Sequence, residues 1–304
     1  MKIYLSSLPT KVLDMISERM PHRKPNVLVT YYGLKDPAAY TIKHREKIGS
    51  LILDCGAFSL FNKGLRGEEL DFAADKLFRG FKAHLTFASH LYDLIFSMDD
   101  KFDPDSFEHN LDRLHILEDA GLCVVPVVHN LTNQEIHYYV ANDYPCIAIG
   151  QCQGVNREDL EVISPVVDSL YWNHRVKVHM FGMTTPNVML HIPAYSCDSK
   201  TWLDYAIRGC VLYWNHENGN LDKTDTIYLS NLNTTKAKKL GIDYREYTHL
   251  DNFKQHILSN YGITWSDLMG NKRQTYRTLV NCLYFLELEE MINTHHKTMG
   301  IIFP

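Results

Sequence analysis

The sequence lacks several features that would assign it to a common class. It has no Cys-x-x-Cys pair, no glycine-rich phosphate loop and no dinucleotide fingerprint. No apolar run reaches the roughly 18 residues that a membrane-spanning helix needs. The seven cysteines are dispersed and odd in number, and several lie in apolar runs, where a free cysteine behaves as a small buried hydrophobe. We therefore expect a reducing compartment, no thiolate zinc site and no membrane association.

A secretory leader is also missing from the first ten residues. Lys2 is their one charge, and the segment turns polar at Ser6 and Ser7 without a long apolar stretch or a small-residue cleavage site. We expect the protein to lie in the cytoplasm.

The sequence also lacks an excess of positive charge, since its net charge is −5. This value does not indicate a nucleic-acid-binding protein, but phosphates respond to local patches rather than to net charge. Two candidate patches consist of Lys236, Lys238 and Lys239, and of Lys272, Arg273 and Arg277. Each is also explained by the solvated face of a helix.

What the sequence does contain is a repeated alternation of strands and helices. Short apolar runs predict strands at 27–31, 51–54, 94–98, 123–128, 146–149, 176–181, 194–197 and 210–214. Helical patterns follow at 68–89, 105–120, 132–141 and 157–170. The runs are too apolar to alternate, as is typical of parallel strands covered on both faces. The pattern predicts an α/β fold, a (β/α)8 TIM-type barrel with extra C-terminal helices.

The pattern changes in the C-terminal third of the chain. Residues 221–234 are polar and loop-like, whereas 249–261 and 271–295 are helical in pattern. The length of 304 residues suits one barrel domain. We expect a single domain over 1–304, in which about 215–304 form a loop and helical region packed on the barrel.

Polar residues cluster where the predicted strands end, which is where barrels carry their active sites. These ends contain Asp54 and Phe58, then Asp99 and Asp100, His129, Gly150 and Gln151, His179 and Gly182, and Asp198.

Each of these residues has an ordinary structural explanation. An Asp after a strand usually caps a helix or a turn, and a single His is usually a core residue. The functional interpretation depends on convergence. Asp54, Asp99 and Asp198 are far apart in sequence but would meet at one barrel mouth, where like charges raise at least one pKa. A raised pKa suits acid/base chemistry.

The ordered set of these segments resembles the transglycosylases that exchange guanine for a 7-deazaguanine base in tRNA. It is closer to the related phage and bacterial enzymes that place 7-deazaguanines in DNA. The family order is matched by 54–58, Asp99, His129, 150–154, 182–186 and Asp198, so the resemblance covers roughly residues 27–202.

The resemblance implies a role for each matched residue. Asp198 would be the nucleophile, and Asp54 would move the proton of the leaving and entering bases. Asp99 would bind the base, Phe58 would stack on it, and His129, Gly150, Gln151 and Gly182 would complete the base pocket. No cofactor or metal is required, and the partners would be DNA and a free 7-deazaguanine such as 7-cyano-7-deazaguanine. A phage-encoded enzyme would act in the host cytoplasm.

Three departures from the family pattern bear on the substrate. Cys55, Gly56 and Ala57 replace Ser-Gly-Gly, and His129 stands where the tRNA enzymes have a base-reading Gln. The cysteine-rich zinc region of the tRNA enzymes is missing, since Cys282 is the only cysteine after Cys210. This loss favours DNA over tRNA, with Lys238, Lys239, Lys272 and Arg273 as candidate phosphate contacts.

Several alternatives stay open at the level of sequence. They are a tRNA-guanine transglycosylase, a barrel glycosidase that uses Asp54 and Asp198, and an inactive barrel that only binds nucleic acid. The oligomeric state is open between a monomer and a homodimer.

Overall fold

The fold is built on eight short parallel strands. The structure is a computed structural model that describes residues 1–33, 36–102, 106–131, 134–150, 159–229 and 239–303. The strands are β1 (Lys2–Ser6), β2 (Asn26–Thr30), β3 (Leu51–Asp54), β4 (Leu94–Ile95), β5 (Val127–Val128), β6 (Cys146–Ile149), β7 (Lys177–Met180) and β8 (Ser196–Ser199). Their order in the sheet is β4-β3-β2-β1-β8-β7-β6-β5.

A bridge between the two edge strands closes this sheet. Phe96 pairs with Val125 in parallel fashion. The Val125 N–H donates to the Ile95 carbonyl over 2.7 Å, and the Ser97 N–H donates to the Val125 carbonyl over 2.8 Å. The predicted α/β class and (β/α)8 barrel are therefore confirmed.

One predicted barrel strand was wrong. Residues 210–214 do form a strand, β9 (Cys210–Trp214), but it lies in a separate three-stranded sheet with β10 (Thr224–Tyr228) and β11 (Ile242–Asp243). The missing barrel strand is β1, in which Tyr4 pairs with Asp198 of β8. Both segments are short buried apolar runs, so local composition cannot tell which one completes the barrel.

Helices follow most strands and cover the barrel. They are α1 (Thr10–Arg19), α2 (Pro37–His44), α3 (Ala57–Phe61), α4 (Gly67–Ala88), α5 (Phe107–Glu118), α6 (Gln134–Ala141), α7 (Leu160–Trp172), α8 (Pro186–His191) and α9 (Thr201–Ile207). Helices nearer the C-terminus include α10 (Leu250–Tyr261), α11 (Trp265–Met269) and α12 (Arg273–Thr298). No helix in the described part of the chain is long and apolar enough to cross a membrane.

The long helix α12 closes the end of the barrel at which the strands begin. Its Glu289 carboxylate accepts hydrogen bonds from the Ile3 N–H over 2.5 Å and from the Asn26 side-chain amide over 2.9 Å. Ile3 and Asn26 lie at the starts of β1 and β2. The opposite end, where the strands finish, is therefore the open end.

Candidate active site at the mouth of the barrel

A cavity of about 580 Å³ opens at the carboxyl ends of the strands. Its volume lies within the range of small-molecule pockets, about 300–1,000 Å³. Its lining comprises Ser6, Ser7, Leu28, Thr30, Asp54, Phe58, Ser59, Asn62, Asp99, Phe102, His129, Gly150, Phe181, Gly182, Asp198 and Lys200.

The structure brings most of the sequence-predicted site residues into this cavity. They are Asp54, Phe58, Asp99, His129, Gly150, Gly182 and Asp198. They lie at the ends of six barrel strands, with Asp54 and Phe58 both at the end of β3, so the closed sheet rather than the local sequence places them together.

Asp198 is held by two hydrogen-bond donors, one at the end of β1 and one after β7. Its carboxylate accepts a hydrogen bond from the Ser6 hydroxyl over 2.5 Å and another from the Gly182 N–H over 2.9 Å. His179 Nε2 lies 3.5 Å from Asp198 Oδ1. The residue is only 8% exposed. A carboxylate fixed in this way presents one defined face to the cavity, as a nucleophile must.

Asp99 is paired with a histidine from the neighbouring strand end. His129 Nε2 donates to the Asp99 carboxylate over 2.9 Å. The His129 backbone N–H donates to the buried carboxylate of Glu135 on α6 over 2.8 Å, which fixes the loop after β5. Asp100, the next residue, turns away from the cavity and contacts His109 and Arg113.

Gly150 allows the His129 ring to lie against β6. A Cβ atom at Gly150 would come within 2.8 Å of His129 Cε1 and 3.0 Å of a Val127 methyl carbon. Any larger residue would push the ring away from Asp99. Gly150 therefore acts on the site through the position of His129.

Asp54 differs electrostatically from an ordinary aspartate. Burial raises its pKa to about 7, and the carboxylates of Asp99 and Asp198 contribute to the increase. Hydrogen bonds from the Gly56 N–H and the Cys55 side chain only partly oppose this change. A carboxyl group with a pKa near 7 can both donate and accept a proton at neutral pH.

Gly56 is required by the turn that presents Asp54. Its φ of +89° lies in the left-handed region, and a Cβ atom there would come within 2.5 Å of Tyr32 Cβ and 2.6 Å of a Thr30 methyl carbon. Only glycine fits both conditions.

A group of potential metal ligands also lies here, although we expected no metal. Oxygen or sulfur atoms of Asp54, Cys55 and Asp99 lie within 4.8 Å of one another. Burial raises the pKa of the Cys55 thiol well above its usual range, with Asp54 and Asp99 adding to the effect. Because a protonated thiol is a poor metal ligand, a cation in this position would depend mainly on the two carboxylates.

A second cavity of about 300 Å³ adjoins the first at Gly182. Hydroxyl side chains line much of it, those of Thr184, Thr185, Thr201, Tyr205, Thr224, Thr226 and Tyr284. Among the described residues, its lining contains no carboxylate and no basic side chain, so it suits an uncharged polar group.

Other predicted residues do not line the cavity. Gln151 and Lys238 lie outside the described residues. Lys239, Lys272 and Arg273 are exposed and do not line the cavity. Gln274, the residue after Arg273, lies beside Ala206 and Ile207 at the end of α9 that is distant from the mouth.

Sequence reasoning missed several residues of the site. Ser6 and Ser7 were overlooked because β1 was not recognised as a barrel strand, although polar residues directly follow its apolar run. Lys200 stands two residues after Asp198 and lines the mouth. Ser196 was not predicted, and His179, which the sequence indicated only as a strand-end residue, lies with Ser196 in the barrel interior beneath Asp198.

No protein-family model and no curated protein matches the sequence. Similar solved structures include a proposed fructose-1,6-biphosphate aldolase from Coccidioides immitis, with 12% identity, a TM-score of 0.49, and coverage of 97% of this chain and 91% of that one. A provisionally assigned tagatose 6 phosphate kinase from Sinorhizobium meliloti 1021 has 15% identity, a TM-score of 0.41, and coverage of 100% and 88%. Neither similarity carries information about the chemistry of this site.

Proposed function

We propose that this barrel exchanges a guanine base in DNA for a 7-deazaguanine derivative through a covalent intermediate on Asp198. The observation that supports the proposal best is the arrangement of three carboxylates in one cavity, each in a different environment. Asp198 is held by fixed donors, Asp54 has a pKa near 7, and Asp99 is paired with His129.

The first half-reaction breaks the glycosidic bond. The Asp198 carboxylate bonds to C1′ as the bond from C1′ to the base breaks, through an oxocarbenium-like transition state. The bonding pair leaves with guanine, which takes the Asp54 proton. The fixed position of Asp198 favours attack from one side of the sugar.

The second half-reaction reverses these steps with a different base. A 7-deazaguanine gives its ring N–H proton to Asp54, and the freed nitrogen pair bonds to C1′ while Asp198 departs as a carboxylate. Asp54 is then protonated again, so the cycle balances. Asp99 and His129 offer an acceptor and a ring edge to the base, and Phe58, 52% exposed at the mouth, offers a stacking surface.

The nucleotide must be unpaired or flipped, since C1′ of a stacked nucleotide is inaccessible to this cavity. The adjoining hydroxyl-lined cavity has room for part of the next nucleotide. DNA is preferred to tRNA because the C-terminal region has a single cysteine, Cys282, which is buried in α12 and offers no zinc site for gripping tRNA.

One experiment tests the proposal directly. DNA and tRNA are incubated side by side with labelled guanine or 7-cyano-7-deazaguanine, digested to nucleosides and analysed by mass. We expect incorporation into DNA and a covalent protein–DNA adduct. Incorporation mainly into tRNA would reverse the choice of substrate, and release of a free base without incorporation would indicate a glycosidase.

The Asp204→Asn variant is a matched control for substitutions at Asp198. Asp204 is exposed on α9, close in sequence to the site, and does not line the cavity. Its replacement should leave exchange unchanged.

A further inference from the structure

Exposed aromatic rings and basic side chains lie together on one side of the barrel mouth. In the set of Phe58, Phe61 and Phe102, which we call the aromatic rim, Phe102 contacts each of the other two rings edge to face. The centroid distance is 6.2 Å between Phe58 and Phe102 and 5.4 Å between Phe61 and Phe102. Phe102 also contacts the His129 ring at 5.3 Å, so the rim continues into the cavity.

Two of the three rings of the aromatic rim are exposed to solvent. Phe58 is 52% and Phe61 is 39% exposed. Clustered apolar rings in contact with water at the edge of a cavity are typical of surfaces that bind a ligand.

Two basic side chains flank the rim. The Arg66 guanidinium lies 5.6 Å from the centre of the Phe61 ring, and Lys63 Nζ lies 4.8 Å from the centre of the Tyr32 ring. Lys200 lines the same mouth. In the part of the chain that the structure describes, none of these three cations forms an ion pair with a carboxylate.

We propose that the aromatic rim, together with Lys63 and Arg66, is the surface that grips an unpaired nucleic-acid strand beside the target nucleotide. This inference rests on the proposed function and names the part of the protein that holds its substrate. Unpaired bases stack on exposed aromatic rings, and neighbouring cations contact the phosphates. A paired duplex hides the faces of its bases and cannot use the rings in this way.

The test measures binding separately from exchange. Fluorescence anisotropy with a labelled single-stranded oligodeoxynucleotide gives Kd for the wild type and for Phe61→Leu. We expect Kd to rise about tenfold, the scale of losing one stacked base. The variant Lys63→Ala/Arg66→Ala should flatten the dependence of log K on log salt by about 0.7 for each phosphate that these side chains neutralise in the wild type.

The chain provides matched controls for both changes. Phe72 and Phe87 on α4 are 68% and 81% exposed but lie away from the cavity, and Lys76 is an exposed cation on the same helix. Phe72→Leu and Lys76→Ala should leave Kd and the salt slope unchanged.

The outcomes separate this inference from the proposed function. If Phe61→Leu and the Lys63/Arg66 variant bind the oligonucleotide as tightly as the wild type, the aromatic rim is not the strand-binding surface, even if exchange occurs. If binding depends on the rim but no base is exchanged, the rim remains the strand-binding surface and the proposed reaction is rejected. Equal loss of duplex and single-strand binding would also overturn the stacking argument.

A second inference comes from a separate observation inside the barrel. His179 and Ser196 are fully buried below Asp198. His179 Nδ1 lies 2.8 Å from the Ser196 hydroxyl, and Nε2 lies 3.5 Å from Asp198 Oδ1. No other polar atom of the described residues contacts Nε2.

The geometry of these atoms assigns the position of the ring proton. A carboxylate only accepts hydrogen bonds, so Nε2 of His179 can interact favourably with Asp198 only when Nε2 carries a proton. In a neutral ring Nδ1 then accepts from the Ser196 hydroxyl. Phe96 and Phe181 pack on the ring at 4.6 and 4.7 Å and hold its plane.

We infer that His179 is a positioning residue that donates to Asp198, whose carboxylate selects the tautomer with the proton on Nε2, while the Ser196 hydroxyl donates to Nδ1. A separation of 3.5 Å is long for a hydrogen bond, but such contacts in unliganded sites often tighten in the complex. The donor would stabilise the Asp198 carboxylate when the covalent intermediate breaks. Asp54, Asp99 and Lys200 line the same cavity and are the other charged groups near Asp198.

Nitrogen-15 NMR of histidine-labelled protein reads the tautomer without any activity assay. We expect the proton of His179 on Nε2 in the wild type and a mixture of the two tautomers in Asp198→Asn, whose amide can donate as well as accept. A proton on Nδ1 in the wild type would overturn the inference, whatever the reaction turns out to be.

Two variants test the positioning role itself. His179→Gln keeps an N–H near the place of Nε2, whereas His179→Leu removes it. We expect the rate of adduct formation to fall off at a higher pH on the acid side in the Leu variant. The Gln variant should show the pH dependence of the wild type. An unchanged pH profile in a folded Leu variant would show that His179 is only part of the core.

Discussion

Two partly buried carboxylates lie at opposite ends of this barrel, Asp54 at the open mouth and Glu289 at the closed end. Burial raises the pKa of both. Glu289 accepts hydrogen bonds from the Ile3 N–H and the Asn26 amide and joins α12 to two strands. Asp54 instead faces a cavity and two further carboxylates.

The difference shows what distinguishes a catalytic candidate from a structural carboxylate. Burial with a raised pKa is common to both residues and does not discriminate between them. Of the two, only Asp54 has like-charge neighbours and access to a cavity among the described residues. Predictions that separate the two ends of the barrel therefore test the assignment of the site.

Asp198→Asn should produce the largest effect at the mouth. It keeps the size of the side chain but removes the anionic attacking oxygen, so exchange should fall by at least about a thousandfold. The covalent adduct should disappear, which gel analysis under denaturing conditions measures. Near-normal exchange by this variant would exclude Asp198 as the nucleophile.

Asp54→Asn should change how stability depends on pH. The folded-state pKa of Asp54 is about 7 against 3.8 for an ordinary aspartate. The folded protein therefore holds a proton that the unfolded chain has released, and stability should fall as pH rises from about 4 to 7, by about 1 kcal/mol per pH unit. Asn carries no such proton and should remove this dependence.

Urea unfolding at a series of pH values checks this prediction. Above pH 7 the ionised Asp54 carboxylate destabilises the folded wild type, so the Asn variant should be the more stable of the two proteins. The same variant should lose exchange, because Asp54 is the group that moves protons in the proposed reaction. Identical pH profiles for the two proteins would mean that Asp54 titrates as an ordinary aspartate.

Glu289→Ala should act at the closed end alone. It leaves the Ile3 N–H and the Asn26 amide without their acceptor, which costs about 1–3 kcal/mol of unfolding free energy. Thermal unfolding should show a lower Tm, while kcat for exchange stays unchanged at temperatures where the variant is folded. If a folded Glu289→Ala variant has lost exchange, Glu289 is not purely structural and the distinction between the two ends of the barrel fails.

The smallest effects concern the basic residues first chosen from the sequence. Replacing Lys238 and Lys239 with Ala should flatten the salt slope of single-strand binding by about 0.7 for each phosphate that they contact. Lys239, Lys272 and Arg273 do not line the cavity. We therefore expect these substitutions to change binding less than Lys63→Ala/Arg66→Ala, which the same titration compares directly.

The sequence by itself determined the class of the fold and the chemistry of the strand ends. Apolar runs covered on both faces predict parallel strands, and the polar residues after them supplied Asp54, Asp99, His129 and Asp198. These signals are local, because each depends on a few consecutive residues. They were sufficient to name most of the charged and histidine side chains that line the cavity.

Only the tertiary structure decided which strand completes the barrel and what surrounds each carboxylate. β1 and β9 are similar buried runs, and the choice between them depends on the pairing of β1 with β8, where Tyr4 lies opposite Asp198. The same pairing brings Ser6 to Asp198, and the barrel interior brings His179 beneath it. Contacts between distant segments depend on closure of the whole sheet, which no local pattern records.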